Sequence, residues 1–305
     1  MIRILSATAL LALVAAPAAA ASQAANVPTA AAAASDATTQ MDHVSVEAVG
    51  AGPPLVLIPG LGTPREVYRP FVAELARTHR VLLVQVNGFG GDAPGANAQG
   101  NVITGAVADI AAYLERNRLG AAHVAGHSMG GLVGMLLARD HPGQVRRLLI
   151  IDSLPFIGTM FMPGATVEAM RPGAEQMRGA IAAGAMQRSP ASAEDPGVAN
   201  MSMRPDGRLQ VSRWAHAANP AAVAHAFYED ATMDLRPDLT RIAAVPTTVL
   251  YAAGAPVTER ARALFTDGYG AAPSVKLVPI EGSYHFIMLD QPERFRRELA
   301  AFLGE

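Results

Sequence analysis

The 305-residue chain contains no cysteine, a single lysine and a single tryptophan. Without cysteine there is no disulfide framework, no Cys-ligated zinc, no iron–sulfur cluster and no thiol nucleophile. Aromatic residues make up only 5% although 50% of the chain is hydrophobic, so alanine supplies much of that figure. Charged residues amount to 16%, against about 25% in an average soluble protein, and the formal charge is −2. Arginine is scattered without a basic patch, which removes the electrostatic footprint expected of a nucleic-acid binder. After the first twenty residues no long charge-free apolar run occurs, so no stable membrane span is expected.

The first twenty residues differ from the rest. Met1–Ala20 has a positive charge at Arg3, an apolar run from Ile4 to Ala16, and small residues offering an Ala-x-Ala cleavage site. This pattern predicts a secretory signal peptide over 1–20 and an exported product, periplasmic or secreted. Residues 21–40 are rich in Ala, Ser and Thr without an apolar stripe, and read as a flexible linker. The folded unit is expected to start at Met41.

From there, short apolar runs alternate with helical patterns. Strands are expected at Val44–Val49, Pro54–Ile58, Val81–Val86, Ala121–Ala125 and Arg147–Ile151, and later at Thr247–Tyr251 and Val275–Ile280. Helices are expected at Arg65–Thr78, Val102–Arg118, Gly131–Asp140, Thr258–Phe265 and Pro292–Leu303. Continuous apolar strands separated by helices imply an α/β fold, a parallel sheet covered on both faces. Between Leu154 and Ala243 no convincing strand appears, and the segment reads as helices and loops rich in Met, Ala and Pro. The domain plan is therefore a core of 41–153 and 244–305, interrupted by a helical insertion at 154–243.

Gly126-His127-Ser128-Met129-Gly130 lies between an expected strand and an expected helix. That is the context of a G-x-S-x-G nucleophile elbow, a turn so tight that residues flanking the serine by two must be small. Ser128 is the candidate nucleophile, and the helix start behind it favours developing negative charge. Serine needs a base at neutral pH. His285, in the loop between the last strand and the last helix, follows the serine in the order required of this class. The other histidines lie in strands, after helices or in the insertion; His127, beside the serine, is assigned to packing.

These features resemble the α/β-hydrolase superfamily, in its form with one domain and a cap. The similarity runs from about Val44 to Leu303 and is carried by Leu55–Gly62 (LVLIPGLG), Gly126–Gly131 (GHSMGG) and Gly282–Pro292 (GSYHFIMLDQP). It implies a mostly parallel eight-stranded sheet, helices on both faces, and a helical cap inserted after the sixth strand. It also implies an oxyanion hole formed by the backbone N–H groups of Leu61 and Met129, a donor in such a site being worth about 2.7–4 kcal/mol.

The chain departs from the family at the third group, which orients the imidazole. Most relatives place an aspartate in the loop after the seventh strand, where this chain has Ala255. Asp152, at the end of the Arg147–Ile151 strand, is the preferred replacement. Glu259, Asp267 and a dyad without an acid are the alternatives. Phe156–Met162, just beyond Asp152, is expected to roof the pocket, with the methionines of the insertion either lining it or filling a helical core.

The resemblance implies a serine hydrolase of carboxylic esters or lactones with an apolar portion, acting through an acyl-enzyme without cofactor or metal. Its partner is a small ester-like molecule and not a nucleic acid. Serine at the elbow argues against dehalogenase and epoxide-hydrolase chemistry, which place aspartate there, and Met129 argues against the proline-iminopeptidase group. Amide and carbon–carbon bond hydrolysis use the same core residues. A degenerate hydrolase that only binds ligand is the alternative of another class, motivated by Ala255.

Overall fold

A computed structural model describes residues 37–254 and 258–304. The expected signal peptide, most of the linker and Ala255 lie outside the described residues. In chain order the strands are β1 (Thr39–Gln40), β2 (Val44–Val49), β3 (Pro54–Ile58), β4 (Arg80–Val86), β5 (Ala122–His127), β6 (Val145–Ile151), β7 (Thr247–Ala253) and β8 (Lys276–Glu281). They form one sheet in the order β1-β2-β4-β3-β5-β6-β7-β8. β1 and β2 run antiparallel to their neighbours, and β3 to β8 are parallel. β1 extends the sheet two residues upstream of Met41, because Thr39 and Gln40 pair with Val46 and Ser45.

The period of two in the central strands fills both faces. Leu55 and Leu57 of β3 enter one core with Leu83 and Ala125, while Val56 and Ile58 enter the other with Val84 and Val124. The helices α1 (Arg69–Leu75), α2 (Val102–Arg116) and α3 (Met129–Asp140) follow β3, β4 and β5. On one face, Phe71 of α1 meets Phe295 edge to face, with ring centroids 4.9 Å apart. On the other, Ile103 of α2 and Leu132 of α3 close the core. The single helix expected over 65–78 is divided into a 3-10 turn, Arg65–Tyr68, and α1. Pro70, which has no N–H to give, falls in the first turn of α1, the part of a helix that tolerates it.

Between β6 and β7 lie α4 (Val167–Ala182), α5 (Pro205–Ala217), α6 (Pro220–Thr232) and the short α7 (Leu239–Ile242), with no strand. After β7 come α8 (Thr258–Gly268), α9 (Ile287–Asp290) and α10 (Pro292–Leu303), which carries Phe295. The inserted segment is tied to the core by specific bonds. Glu229 of α6 accepts the N–H groups of Val102 and Ile103 at 2.9 and 2.8 Å, so a helix of the insertion caps the start of α2. Asn219 caps α6 with its own side chain and donates its N–H to the carbonyl of Gly88 at 2.6 Å.

Candidate active site

The parallel strands β5 and β6 end in register, His127 opposite Ile151, and Ile151 lies opposite Leu250 of the longer β7. Ser128 and Asp152 therefore emerge side by side at the carboxyl edge of the sheet, the usual ligand side of an open α/β fold. Both have positive φ, 54° and 48°, a region that non-glycine residues seldom adopt. The surrounding structure imposes it. The Ser128 N–H donates to the Ile151 carbonyl at 2.9 Å, and the Asp152 N–H to the Leu250 carbonyl at 2.7 Å. Holding each residue there costs on the order of 1–3 kcal/mol.

The elbow is as crowded as its glycines suggest. A Cβ on Gly126 would lie 2.0 Å from the Gly130 carbonyl oxygen, and one on Gly130 would lie 2.4 Å from that of Ile58. Any side chain here would force the strand and helix apart. α3 begins at Met129, two residues earlier than expected, since the Gly131 N–H already bonds back to the Ser128 carbonyl at 2.7 Å. The Pro59–Gly60 turn packs directly on the serine; a Cβ at Gly60 would be 3.0 Å from that of Ser128. Leu61 lines the cavity above Ser128. Among the described residues, neither the Leu61 nor the Met129 N–H has a protein acceptor.

His285 reaches the same edge from the loop after β8. Its Nδ1 is 2.7 Å from Oδ2 of Asp152. The other oxygen, Oδ1, accepts the Ala252 N–H at 2.8 Å, so β7 fixes the carboxylate in the orientation that meets the imidazole. With Nδ1 donating to Asp152, Nε2 carries the lone pair. Ser128 and His285 line one cavity, with no hydrogen bond joining them. Glu259 is exposed and near Arg262, and Asp267 is exposed; neither bonds to His285.

His127 does more than pack. It is fully buried, with its ring centroid 4.6 Å from that of His285, and its Nε2 donates to the His285 carbonyl at 3.0 Å. Burial, and next the charge His285 can carry, hold its pKa well below the usual imidazole range, so it acts as a neutral donor. The His285 loop is also stitched to the insertion. The Phe286 N–H donates to the Met201 carbonyl at 2.8 Å and the His285 N–H to that of Asn200 at 3.4 Å. Asp290 accepts from the Tyr284 N–H at 2.8 Å and from the Met203 N–H at 3.0 Å. No local sequence signal announced these bonds, which join residues far apart in the chain.

The cavity has a volume of about 680 Å³. Its walls include Ile157, Val198, Met201, Val211, Phe227 and Phe286, with Asp230 of α6 and, from the loop before α5, Glu194 and Asp195; among the described residues no Lys or Arg contributes. The roof expected from Phe156–Met162 comes down to Ile157. Phe156 is buried beneath the Arg236 guanidinium, 4.7 Å from its ring, and Met160, Phe161 and Met162 face solvent at 47, 69 and 47% exposure. Of the methionines singled out in the insertion, Met201 lines the cavity. Among the described residues no cluster of three or more His, Asp or Glu could hold a metal ion, and no helix is long and apolar enough to cross a membrane.

Residues 53–292 match the family model described as the alpha/beta hydrolase fold. The chain belongs to that family. It is 29% identical over 266 residues to the pimeloyl-[acyl-carrier protein] methyl ester esterase of Aeromonas hydrophila, covering 86% of this chain and 99% of that protein. A protein of Azorhizobium caulinodans, assigned only by name to carbamate hydrolysis (RutD), is 38% identical over 106 residues; the match takes in 35% of this chain and spans 39% of that relative. Among solved structures, an esterase from Thermogutta terrifontis superimposes with a TM-score of 0.69 at 21% identity, covering 88% of this chain and 98% of that one. The enol-lactonase of Burkholderia xenovorans does so with a TM-score of 0.67 at 20% identity, covering 86% and 97%. At those identities the likeness is one of fold.

Proposed function

We propose that the protein is an exported serine hydrolase that cleaves a carboxylic ester or lactone with an apolar portion. Ser128 is the nucleophile and His285 the general base; Asp152 holds the imidazole with its lone pair at Nε2. Nε2 takes the Ser128 proton as the hydroxyl attacks the carbonyl, then returns it to the leaving alcohol, and water repeats the cycle on the acyl-enzyme. The N–H groups of Leu61 and Met129 receive the oxyanion. Residues 154–243 form the cap over this site.

The observation that carries the reading is the 2.7 Å contact of His285 with Asp152, made where Ser128 faces the same cavity. The esterase relative that matches most of the chain supports an ester substrate. The ligand-binding alternative rests on the lack of an acid at position 255, and the contact of Asp152 with His285 weighs against it. Hydrolysis of p-nitrophenyl esters together with fluorophosphonate labelling tests the proposal. Labelling at Ser128, abolished with turnover in Ser128→Ala, is expected; a chain that neither turns over nor labels is not a serine hydrolase.

A further inference from the structure

Every half-buried carboxylate of the inserted segment has a donor except one. Asp195 accepts the Gly197 N–H, and Glu229 takes two N–H groups of α2. Asp234 is bonded to Arg236, and Asp238 to Arg139. Asp230 has no hydrogen-bond or ionic partner among the described residues, yet it lies on the wall of the cavity that holds Ser128 and His285. Phe227, three residues earlier on α6, lines the same wall, so this face of the helix is turned to the cavity. Carboxylates withdrawn from water are ordinarily paired, since an uncompensated one is costly.

We infer that Asp230 is a specificity-determining residue, receiving a hydrogen-bond donor, hydroxyl or ammonium, carried by the substrate away from its scissile carbonyl. This rests on the hydrolase reading above and adds the class of substrate. The remaining charges of the cavity agree with it. Glu194 and Asp195 contribute further acid, and among the described residues no Lys or Arg lines the wall, so a substrate ending in carboxylate or phosphate meets mostly like charge away from the histidines. A donor group instead supplies what α6 leaves unmet. Burial also pushes the Asp230 carboxyl up to about 7, partly opposed by the charge of His285. The group can therefore accept from an ammonium when ionised and exchange hydrogen bonds with a hydroxyl in either form.

The test compares p-nitrophenyl esters matched in length that end in methyl, hydroxymethyl, ammonium or carboxylate, in the full protein and in Asp230→Asn. Fluorophosphonate labelling of Ser128 is followed in parallel. In the parent, kcat/KM for the hydroxymethyl or ammonium ester exceeds that for the methyl ester by roughly 10–100-fold, and the carboxylate ester is poorest. In Asp230→Asn the ammonium advantage collapses to within about threefold, chiefly through KM. Asp230→Ser serves as a second variant should the asparagine protein melt early. If Ser128 labels normally but the parent treats donor and methyl esters alike, the assignment of Asp230 is overturned while the hydrolase reading stands. Absence of labelling and of turnover with every ester overturns both.

Discussion

In the proposed mechanism, replacing Asp152 by asparagine isolates the orienting role assigned to its carboxylate. The side chain keeps its shape, but only one of its terminal atoms still accepts hydrogen bonds. The Ala252 N–H, now 2.8 Å from Oδ1, claims that atom. The amide NH₂ then faces Nδ1 of His285, now 2.7 Å from Oδ2, and needs a lone pair there. The ring proton moves to Nε2, and the nitrogen available to Ser128 is no longer a base. Loss of the orienting acid through the wrong tautomer costs about 10⁴ in kcat, or roughly 5.4 kcal/mol at 1.36 kcal/mol per tenfold. The fold is spared, because both hydrogen bonds are retained; a stability change under about 1 kcal/mol moves Tm by only about 2–4 °C. Steady-state hydrolysis of a p-nitrophenyl ester and a thermal melt on one preparation read the two effects separately. Glu259→Gln, at an exposed residue, is the control and leaves kcat unchanged. Should Asp152→Asn keep kcat within about tenfold of the parent with an intact melt, Asp152 does not set the tautomer, and the reasoning fails.

Other perturbations read other parts of the structure. Gly130→Ala puts a Cβ 2.4 Å from the Ile58 carbonyl oxygen, and should cost at least about 1–3 kcal/mol in urea unfolding; an unchanged midpoint contradicts the tight elbow. Glu229→Ala strips the acceptor from two N–H groups of α2, with an expected loss of about 1–2 kcal/mol that Glu229→Gln partly restores. Asp230 holds its proton to about pH 7 in the fold but loses it near 3.8 when unfolded. Between those values the unfolded chain binds fewer protons, so stability contributed by the neutral form falls as pH rises. Asp230→Asn cannot ionise, and its stability advantage over the parent should grow across that window by about 1–2 kcal/mol. A difference that stays flat with pH in parallel denaturant titrations would refute the burial of that carboxyl.

The strands were legible because each is a local apolar run: PLVLI, VLLVQV and RLLII are buried along nearly their whole length, and no neighbour is needed to read them. The elbow was legible for a similar reason, since its steric demand falls on glycines within five residues. What could not be read depended on register and on distant partners. Asp152 was legible as a candidate from its place at a strand end, but the Ala252 N–H that aims its carboxylate at His285 depends on β6 lying beside β7, and the contact itself on a loop 133 residues downstream. The cap of α2 by Glu229 spans 127 residues, and the neutral donor role of His127 spans 158. The Phe156–Met162 stretch misled because apolar composition does not give direction. Its 3-10 turn sends Phe156 inward and Ile157 to the cavity, while Met160, Phe161 and Met162 point to water.

The backbone bonds from residues 200 and 201 to the loop of His285 couple two pieces of the chain that could otherwise have diverged separately. The imidazole is held by Asp152 at a strand end, and the backbone of its loop by main chain of the insertion. Lifting residues 200–203 as a hinged flap would either break these bonds or carry the loop of His285 with them. For engineering, exchanging the whole insertion with that of a relative replaces the acceptors of the His285 and Phe286 N–H groups along with pocket shape. Altering single side chains of α6 changes the pocket and leaves that anchorage alone.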